Sequence, residues 1–344
     1  MSGADASPTR AAASGEPFRV SVIVPVYRAE AYVREAVASA LAALDRAGVA
    51  GEVILIEDGS PDGSLAVCRE LAAAFDRVRL LRHADGANRG AGASRNRGIA
   101  EARHPWVAFL DADDVFTETR FVRTAELAAD PTIDGVYEAA GVFFDRGDNG
   151  SHQHQGNRNG AGVTGVGRRR IMPVRAIRPE RLFDRLVFVT LGTFHTLGVT
   201  LRRSLVEAVG GFPEELALSQ DTALWIKAAA AGRLVPGEAR APVALYRRHP
   251  GNRSFRDRLS NARAGLQRWR HLARWSREAG RPPRQRALLR ARLAFAEFEC
   301  RCLERGGWAA TLGPRIERGL RYLPKPWLAR YGHRLDALED RAPP

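Results

Sequence analysis

Trp106-Val107-Ala108-Phe109-Leu110-Asp111-Ala112-Asp113-Asp114 runs from five apolar residues straight into three carboxylates. Pro105 before the run and the acids after it bound a short segment, which reads as a buried strand rather than a piece of core helix. Side chains alternate along a strand, so continued extended geometry would turn Asp111 and Asp113 to the same side. Two hard oxygen donors so placed repel each other unless a cation or a cationic ligand lies between them. The same acids would also serve a following helix, since Asp is favoured at helix starts.

Working outward, strand and helix patterns alternate. Arg19–Val26 is a β-branched run broken by Pro25, and 30–44 carries Tyr32, Val33, Val37, Leu41 and Leu44 on one helical stripe. A strand at 53–57, a helix at 65–75, a strand at 78–81 and a helix at 94–102 then lead to the strand at 106–110. This alternation predicts an α/β fold with a mostly parallel central sheet flanked by helices on both faces. In such sheets ligands bind beyond the carboxyl ends of the strands. That rule gathers Pro25, Val26, Tyr27 and Glu30 from the first strand, Glu57-Asp58-Gly59-Ser60 from the second, and Asp111 and Asp113 from the fourth. Tyr27 could stack on a planar base, and Asp58 could accept hydrogen bonds from a ring N–H. Plain turn chemistry would account equally well for Asp58 to Gly63. The segment 86–98 adds small residues, a helix start expected at Ser94 and the cations Arg95 and Arg97, all suited to a diphosphate. Gly90-x-Gly92 lacks the third glycine of a dinucleotide fingerprint and follows the wrong strand for one.

Composition bounds the answer. The 344 residues are 45% hydrophobic, enough for a packed core, and no stretch approaches the length of an apolar membrane span. The N-terminus has neither the basic nor the apolar region of a signal peptide, so a cytoplasmic location is the expectation. Cys68, Cys300 and Cys302 are too few and too unevenly spaced for a disulfide framework. The net charge of +14 raises the question of a polyanionic partner. Lys occurs only at positions 227 and 325, however, which reads as the compositional bias of a GC-rich genome rather than a binding surface. Charge is concentrated at 253–292, with thirteen Arg against Asp257 and Glu278. Such a segment is usually a solvated helical face, although it could also rest on an anionic membrane.

Four motifs in this order and spacing, Ser21-Val-Ile-Val-Pro-Val-Tyr27, Glu57-Asp-Gly-Ser60, Ala93-Ser-Arg-Asn-Arg-Gly98 and Phe109-Leu-Asp-Ala-Asp-Asp114, resemble the GT-A fold glycosyltransferases of family 2. The resemblance spans 18–116, resumes at Val209-Gly-Gly-Phe-Pro-Glu-Glu215 and Ser219-Gln-Asp-Thr-Ala-Leu-Trp225, and fades after about residue 255. It implies a nucleotide-diphosphate sugar, most naturally UDP-linked, lying across the first half of the sheet. Pro25, Val26, Tyr27, Glu30, Asp58 and Ser60 then match positions lining the base and ribose, Arg95 faces the phosphates, and Asp111 lies near the ribose or metal. Asp113 matches the acid that binds a divalent ion, Mn²⁺ or Mg²⁺, and His249 in Tyr246-Arg-Arg-His249 is an additional candidate near that metal. Asp221 matches the catalytic base of the inverting members; without the resemblance it would read as a helix cap. Where many members carry two adjacent acids after the second strand and Glu-Asp before the late helix, this chain has Glu57-Asp58 and Gln220-Asp221. In both, the second acid is kept.

The resulting layout is a disordered leader over 1–17 and a GT-A catalytic domain over 18–254, followed by a basic helical region over 255–344. The catalytic domain divides into a nucleotide-sugar half, 18–116, and an acceptor half, 117–254, with a flexible loop at 145–170. His152-x-His154 in that loop is more in keeping with a solvated segment than with a metal site. His195 could help to floor the acceptor site. After residue 255, Trp269, Leu272, Trp275, Leu288, Leu289, Leu293, Phe295 and Phe298 recur at helical spacing, which suits an appendage packed on the catalytic domain or a stripe resting on a membrane. The expected activity is inverting, metal-dependent transfer of a sugar to a glycan, lipid-linked saccharide or small-molecule hydroxyl. Nucleotidyl transfer and non-catalytic nucleic-acid binding are the alternatives. Released pyrophosphate would mark the first and salt-sensitive binding to DNA or RNA the second.

Overall fold

Strand β1 (Arg19–Val26) is buried along nearly its whole length, and its side chains divide by period two between the faces of the sheet. Val20, Val22, Val24 and Val26 meet Val33, Val37, Leu41 and Leu44 of α1 (Val33–Ala47), whereas Ile23 turns to the opposite core. β2 (Ala50–Glu57) repeats the division, with Val53 and Leu55 on the first face and Ile54 and Ile56 on the second. This computed structural model describes residues 17–144, 170–172, 174–188, 194–249 and 257–305. The expected leader up to residue 16, the expected loop up to residue 169 with His152 and His154, and the basic region from 306 onward lie outside the described residues.

After α2 (Ser64–Ala74), β3 (Val78–Arg82), α3 (Gly90–Glu101) and β4 (Trp106–Phe109), the strand order is β3-β2-β1-β4, all parallel. Chain direction across the sheet reverses between β1 and β4, so the crevice expected of such a switch point lies beside Tyr27 and Asp111.

The chain continues through β5 (Val115–Phe116), α4 (Val122–Ala128), β6 (Gly135–Tyr137), β7 (Ala140–Phe144), β8 (Arg170–Met172), α5 (Pro179–Phe188), β9 (Val199–Arg202), α6 (Arg203–Ala208), α7 (Gln220–Ala231), β10 (Leu234–Pro236) and β11 (Ala244–Arg248). β9, β6 and β10 extend the first sheet to seven strands, and β9 alone runs against the others. A second sheet, β5-β11-β7-β8, lays β11 against the segment that follows β4. Arg120, wholly buried, ties the halves together through Glu138 at 2.8 Å, the carbonyls of Leu197 and Val199 at 2.8 and 3.0 Å, and the Thr200 hydroxyl at 2.9 Å. Burial lowers its pKa to about 10, and the Glu138 charge opposes that fall.

α8 (Arg258–Glu278) and α9 (Pro283–Arg305) form an antiparallel pair joined by Arg263–Glu304 and Arg270–Glu297. Trp269, Leu272, Leu288 and Leu289 are at most 7% exposed and share a core with Phe109 and Trp225. These four members of the stripe thus pack on the catalytic core, where each fully buried side chain gains about 2 kcal/mol. Among the described residues, no helix is long and apolar enough to cross a membrane.

Candidate active site

β4 ends at Phe109 and the chain turns at once, with the Asp114 amide donating to the Asp111 carbonyl at 3.0 Å. The extended geometry that would have turned Asp111 and Asp113 to one side stops there, and the acids take separate partners. Asp111 forms an ion pair with Arg95 Nη2. Asp113 Oδ2 lies 3.0 Å from His249 Nε2. Asp114 turns inward, is 1% exposed and accepts the Arg247 amide at 2.7 Å. Burial, followed by the neighbouring charges of Asp113 and Asp111, pushes its pKa well above the ordinary value for Asp.

β11 makes this arrangement possible. Its pairing of Leu245 with Val115 brings Arg247 beside the acid turn. Arg247 Nε donates to the Asp113 carbonyl at 2.8 Å, its Nη2 pairs with Glu35 of α1, and its guanidinium lies over Phe143 and Tyr32 at 4.5 and 5.1 Å. His249 follows, its ring 5.2 Å from that of Tyr32. The expectation for the Tyr-Arg-Arg-His segment singled out the histidine and missed the arginine that holds the turn.

Asp58 is 2% exposed, and its carboxylate accepts the amides of Arg89 at 2.8 Å and Gly90 at 3.0 Å. These bonds start α3 at Gly90, four residues before the expected Ser94, because a carboxylate 31 residues away satisfies the first free N–H groups. The connection is tight: a Cβ at Gly59, where φ is +68°, would stand 2.8 Å from the Asn88 amide and from the Gly86 carbonyl. Glu57, 1% exposed, accepts the Ser60 amide at 2.5 Å and Arg82 Nε at 2.8 Å. Burial raises its pKa, but these hydrogen bonds outweigh burial and leave it lowered. The exposed Glu30 accepts the Gly63 amide at 2.9 Å, and the Ser60 hydroxyl accepts the Arg28 amide at 3.3 Å. Pro25 and Tyr27 are partly exposed and Val26 is buried; Arg28 lies 5.4 Å over the Tyr27 ring in a left-handed conformation, φ +53°. The residues expected to line a nucleotide thus lie along the β1 and β2 ends, and several already brace one another.

Asp221 lies in the first turn of α7 and is not its cap, a position held by Ser219 at φ +62°. Non-glycine residues adopt that conformation only where surrounding contacts hold it. Asp221 Oδ2 accepts the Thr196 hydroxyl at 3.3 Å, and Oδ1 accepts the Thr222 amide at 2.6 Å. The N-termini of α3 and α7 meet where Gly92 leaves room for the Gln220 amide, 2.8 Å from where a Cβ would stand. Both helix starts therefore present positive dipole ends to one region. Asn96 of α3 latches the preceding loop through Phe212 N, Phe212 O and Glu214, each at 2.8 Å, and Lys227 Nζ donates to the Gly211 carbonyl at 2.7 Å. Phe212 packs on Phe109 at 5.1 Å and lies 5.3 Å beneath the Arg95 guanidinium.

His195 caps the short turn before β9, its Nδ1 accepting the Leu197 amide at 3.4 Å. Burial lowers its pKa, and the charges of Asp111 and Asp221 pull it the other way. Its ring lies 5.3 Å from that of Tyr246. Among the described residues no group of three or more His, Cys, Asp or Glu side chains could hold a metal by itself. Asp113 and His249 offer one carboxylate and one imidazole, directed at each other and partly open to solvent. That donor set fits a Mn²⁺ or Mg²⁺ ion that takes its remaining ligands from phosphate oxygens and water.

Residues 21–210 match the family model described as glycosyl transferase family 2. Among similar proteins, the uncharacterized glycosyltransferase EpsJ of Bacillus subtilis (strain 168) is 35% identical over 118 residues, covering 34% of this chain and 32% of that protein. The succinoglycan biosynthesis protein ExoU of Rhizobium meliloti (strain 1021) is 39% identical over 100 residues, covering 29% and 28%. The matches thus span about a third of the length of these relatives. S. aureus TarS 1-349, solved in complex with UDP-GlcNAc, aligns over 82% of this chain and 73% of its own with a TM-score of 0.56 at 18% identity, a likeness of fold.

Proposed function

The chain belongs to glycosyl transferase family 2, and on that footing we propose that it is an inverting, metal-dependent glycosyltransferase that moves a sugar from a nucleoside-diphosphate donor to an acceptor hydroxyl. The observation that carries the reading is Asp221, held by Thr196 and Thr222 in the first turn of α7. A sugar hydroxyl is a weak nucleophile, so a positioned carboxylate must take its proton as the oxygen attacks the anomeric carbon. Asp221 is that base. Attack opposite the departing diphosphate inverts the anomeric centre.

Negative charge grows on the leaving group, and Arg95 with the N-terminus of α3 meets it. A Mn²⁺ or Mg²⁺ ion held by Asp113 and His249 supplies Lewis-acid stabilisation of that charge when bound. His195, its pKa lowered by burial, contributes an uncharged ring at neutral pH. A UDP-linked donor agrees with the UDP-GlcNAc complex of TarS, a protein of the same fold.

Asp221→Asn tests the assignment. The expected result is loss of transfer by about 10²-fold or more with donor affinity unchanged, measured as nucleoside diphosphate release beside equilibrium binding of the donor. Transfer at the wild-type rate would remove Asp221 as the base.

A further inference from the structure

The loop between α6 and α7, residues 209–219, is held from two sides. On one side Asn96 of α3, the helix that carries Arg95, fixes Phe212 and Glu214. On the other, the next residue turns to α8: Glu215 Oε1 accepts His271 Nδ1 at 2.7 Å and Arg274 Nη2 at 2.8 Å. Two adjacent glutamates thus tie one loop to the diphosphate side of the site and to the C-terminal helix pair. The His271 contact has a defined sense, because a carboxylate only accepts and Nδ1 must carry the proton. Burial lowers the His271 pKa, and the Glu215 hydrogen bond opposes that fall, so the ring is uncharged at neutral pH. Its Nε2, closed off from water, has no hydrogen-bond partner among the described residues.

From Glu215 the path to Asp221 is short. Leu216 is 4% exposed, its amide donates to the Pro213 carbonyl at 3.3 Å, and its own carbonyl accepts the Gln220 side-chain amide. Only Ala217 and Leu218 separate Leu216 from Ser219, the left-handed cap, and Asp221 follows in the first turn of α7. A non-glycine residue at φ +62° stays there because its surroundings hold it. The fixed Leu216 on one side, and on the other the Ser219 carbonyl that accepts the Ala223 amide at 3.1 Å, supply that hold. α8 needs no help from Glu215 to stay docked, since Trp269 and Leu272 are buried in the core that contains Phe212, Leu216 and Trp225. The Glu215 side chain is half-exposed, and ion pairs so placed add little to stability. Its contacts with α8 therefore set a position more than an energy.

We propose that α8 works as part of the active site: His271 and Arg274, by holding Glu215, set the loop that delivers Asp221, and all three are positioning residues for the base. The proposal rests on the reading of Asp221 as that base, and it goes beyond it by giving the C-terminal helix pair a part in the reaction. Small displacements of a catalytic group are costly to rate, which is why a surface contact of little energetic weight can matter here.

The test uses the full chain with Mn²⁺ and UDP-, GDP- and dTDP-sugars. Donor affinity, nucleoside diphosphate release at saturating donor, melting temperature and hydrogen–deuterium exchange over 209–223 are measured for each variant. Glu215→Ala is expected to lower turnover about tenfold with donor affinity and melting temperature nearly unchanged, and to speed exchange at 216–223. His271→Ala is expected to lower turnover about fivefold, since Arg274 still reaches the same oxygen. In His271→Asn the amide nitrogen stands as many bonds from Cβ as Nδ1 does, so this variant should recover most of the loss; His271→Gln places its amide at the Nε2 position and should not. Wild-type turnover in Glu215→Ala, or the same turnover in the Asn and Gln variants, would overturn the proposal. Turnover, donor affinity and melting temperature falling together would overturn it as well, and leave α8 a packing role only. If the wild-type chain turned over none of the donors, the glycosyltransferase reading would fail, and exchange alone would decide the hold of α8 on the loop: unchanged exchange in Glu215→Ala would refute it.

Discussion

Replacing Lys227 by Met should change the pH dependence of stability in a defined direction. Lys227 is 1% exposed; burial lowers its pKa from 10.5 to about 8, and the Glu215 charge opposes that fall. Between those two values the unfolded chain binds more protons than the folded one, so the wild-type protein gains stability as pH rises through the window. Integrating that proton difference from about pH 7 to about pH 9.5 gives about 2 kcal/mol from this residue. Cys68 acts the other way: burial raises its thiol to about 12, so the unfolded chain loses that proton first above pH 9. Comparison with Lys227→Met at each pH cancels the cysteine contribution. The assay is urea unfolding of both proteins at the two pH values. Wild-type stability relative to the variant should improve by about 2 kcal/mol at the higher pH. A difference that stays constant with pH would show that Lys227 is not a depressed buried amine, and that its hold on the Gly211 carbonyl is that of an ordinary ammonium.

Two further perturbations address the scaffold around the site. Asn96→Ala removes three hydrogen bonds that latch the Phe212 loop to α3 and should cost about 2–3 kcal/mol in urea unfolding; donor affinity should fall with it as Phe212 loosens beneath Arg95. For Glu57, whose folded pKa is depressed, stability is present above its unfolded value of 4.5 and is lost as pH falls through the lower folded value. Glu57→Gln should therefore flatten the acid limb of the stability curve, and an unchanged limb would remove Glu57 from the groups that shape it.

The first half of the sheet is legible in the sequence because its signals are local. Val20, Val22 and Val24 against Ile23 declare a strand buried on both faces, and the α1 stripe declares the face it covers. Three features were hidden because distant residues impose them. α3 starts at Gly90 since Asp58 accepts its first amides, the Asp111–Asp114 segment turns instead of extending, and Arg247 arrives from a strand of a second sheet. The pairing of Asp113 with His249 was foreshadowed only by family resemblance, since nothing in local spacing relates residues 136 apart. At the C-terminus a Trp, Leu and Arg stripe suits a membrane surface and an internal helix pair equally in sequence, and only the structure shows Trp269, Leu272, Leu288 and Leu289 packed into the catalytic core.

The central claim is that the crevice between β1 and β4 holds a metal-bound nucleotide sugar through Asp113 and His249. Its most direct test is equilibrium binding of UDP-, GDP- and dTDP-sugars to the purified chain with and without Mn²⁺ or Mg²⁺, beside Asp113→Ala. At least one donor should bind in a metal-dependent manner, with affinity lowered about tenfold or more in the variant. Absence of binding by every donor with either ion, or metal-dependent binding that survives Asp113→Ala undiminished, would contradict it.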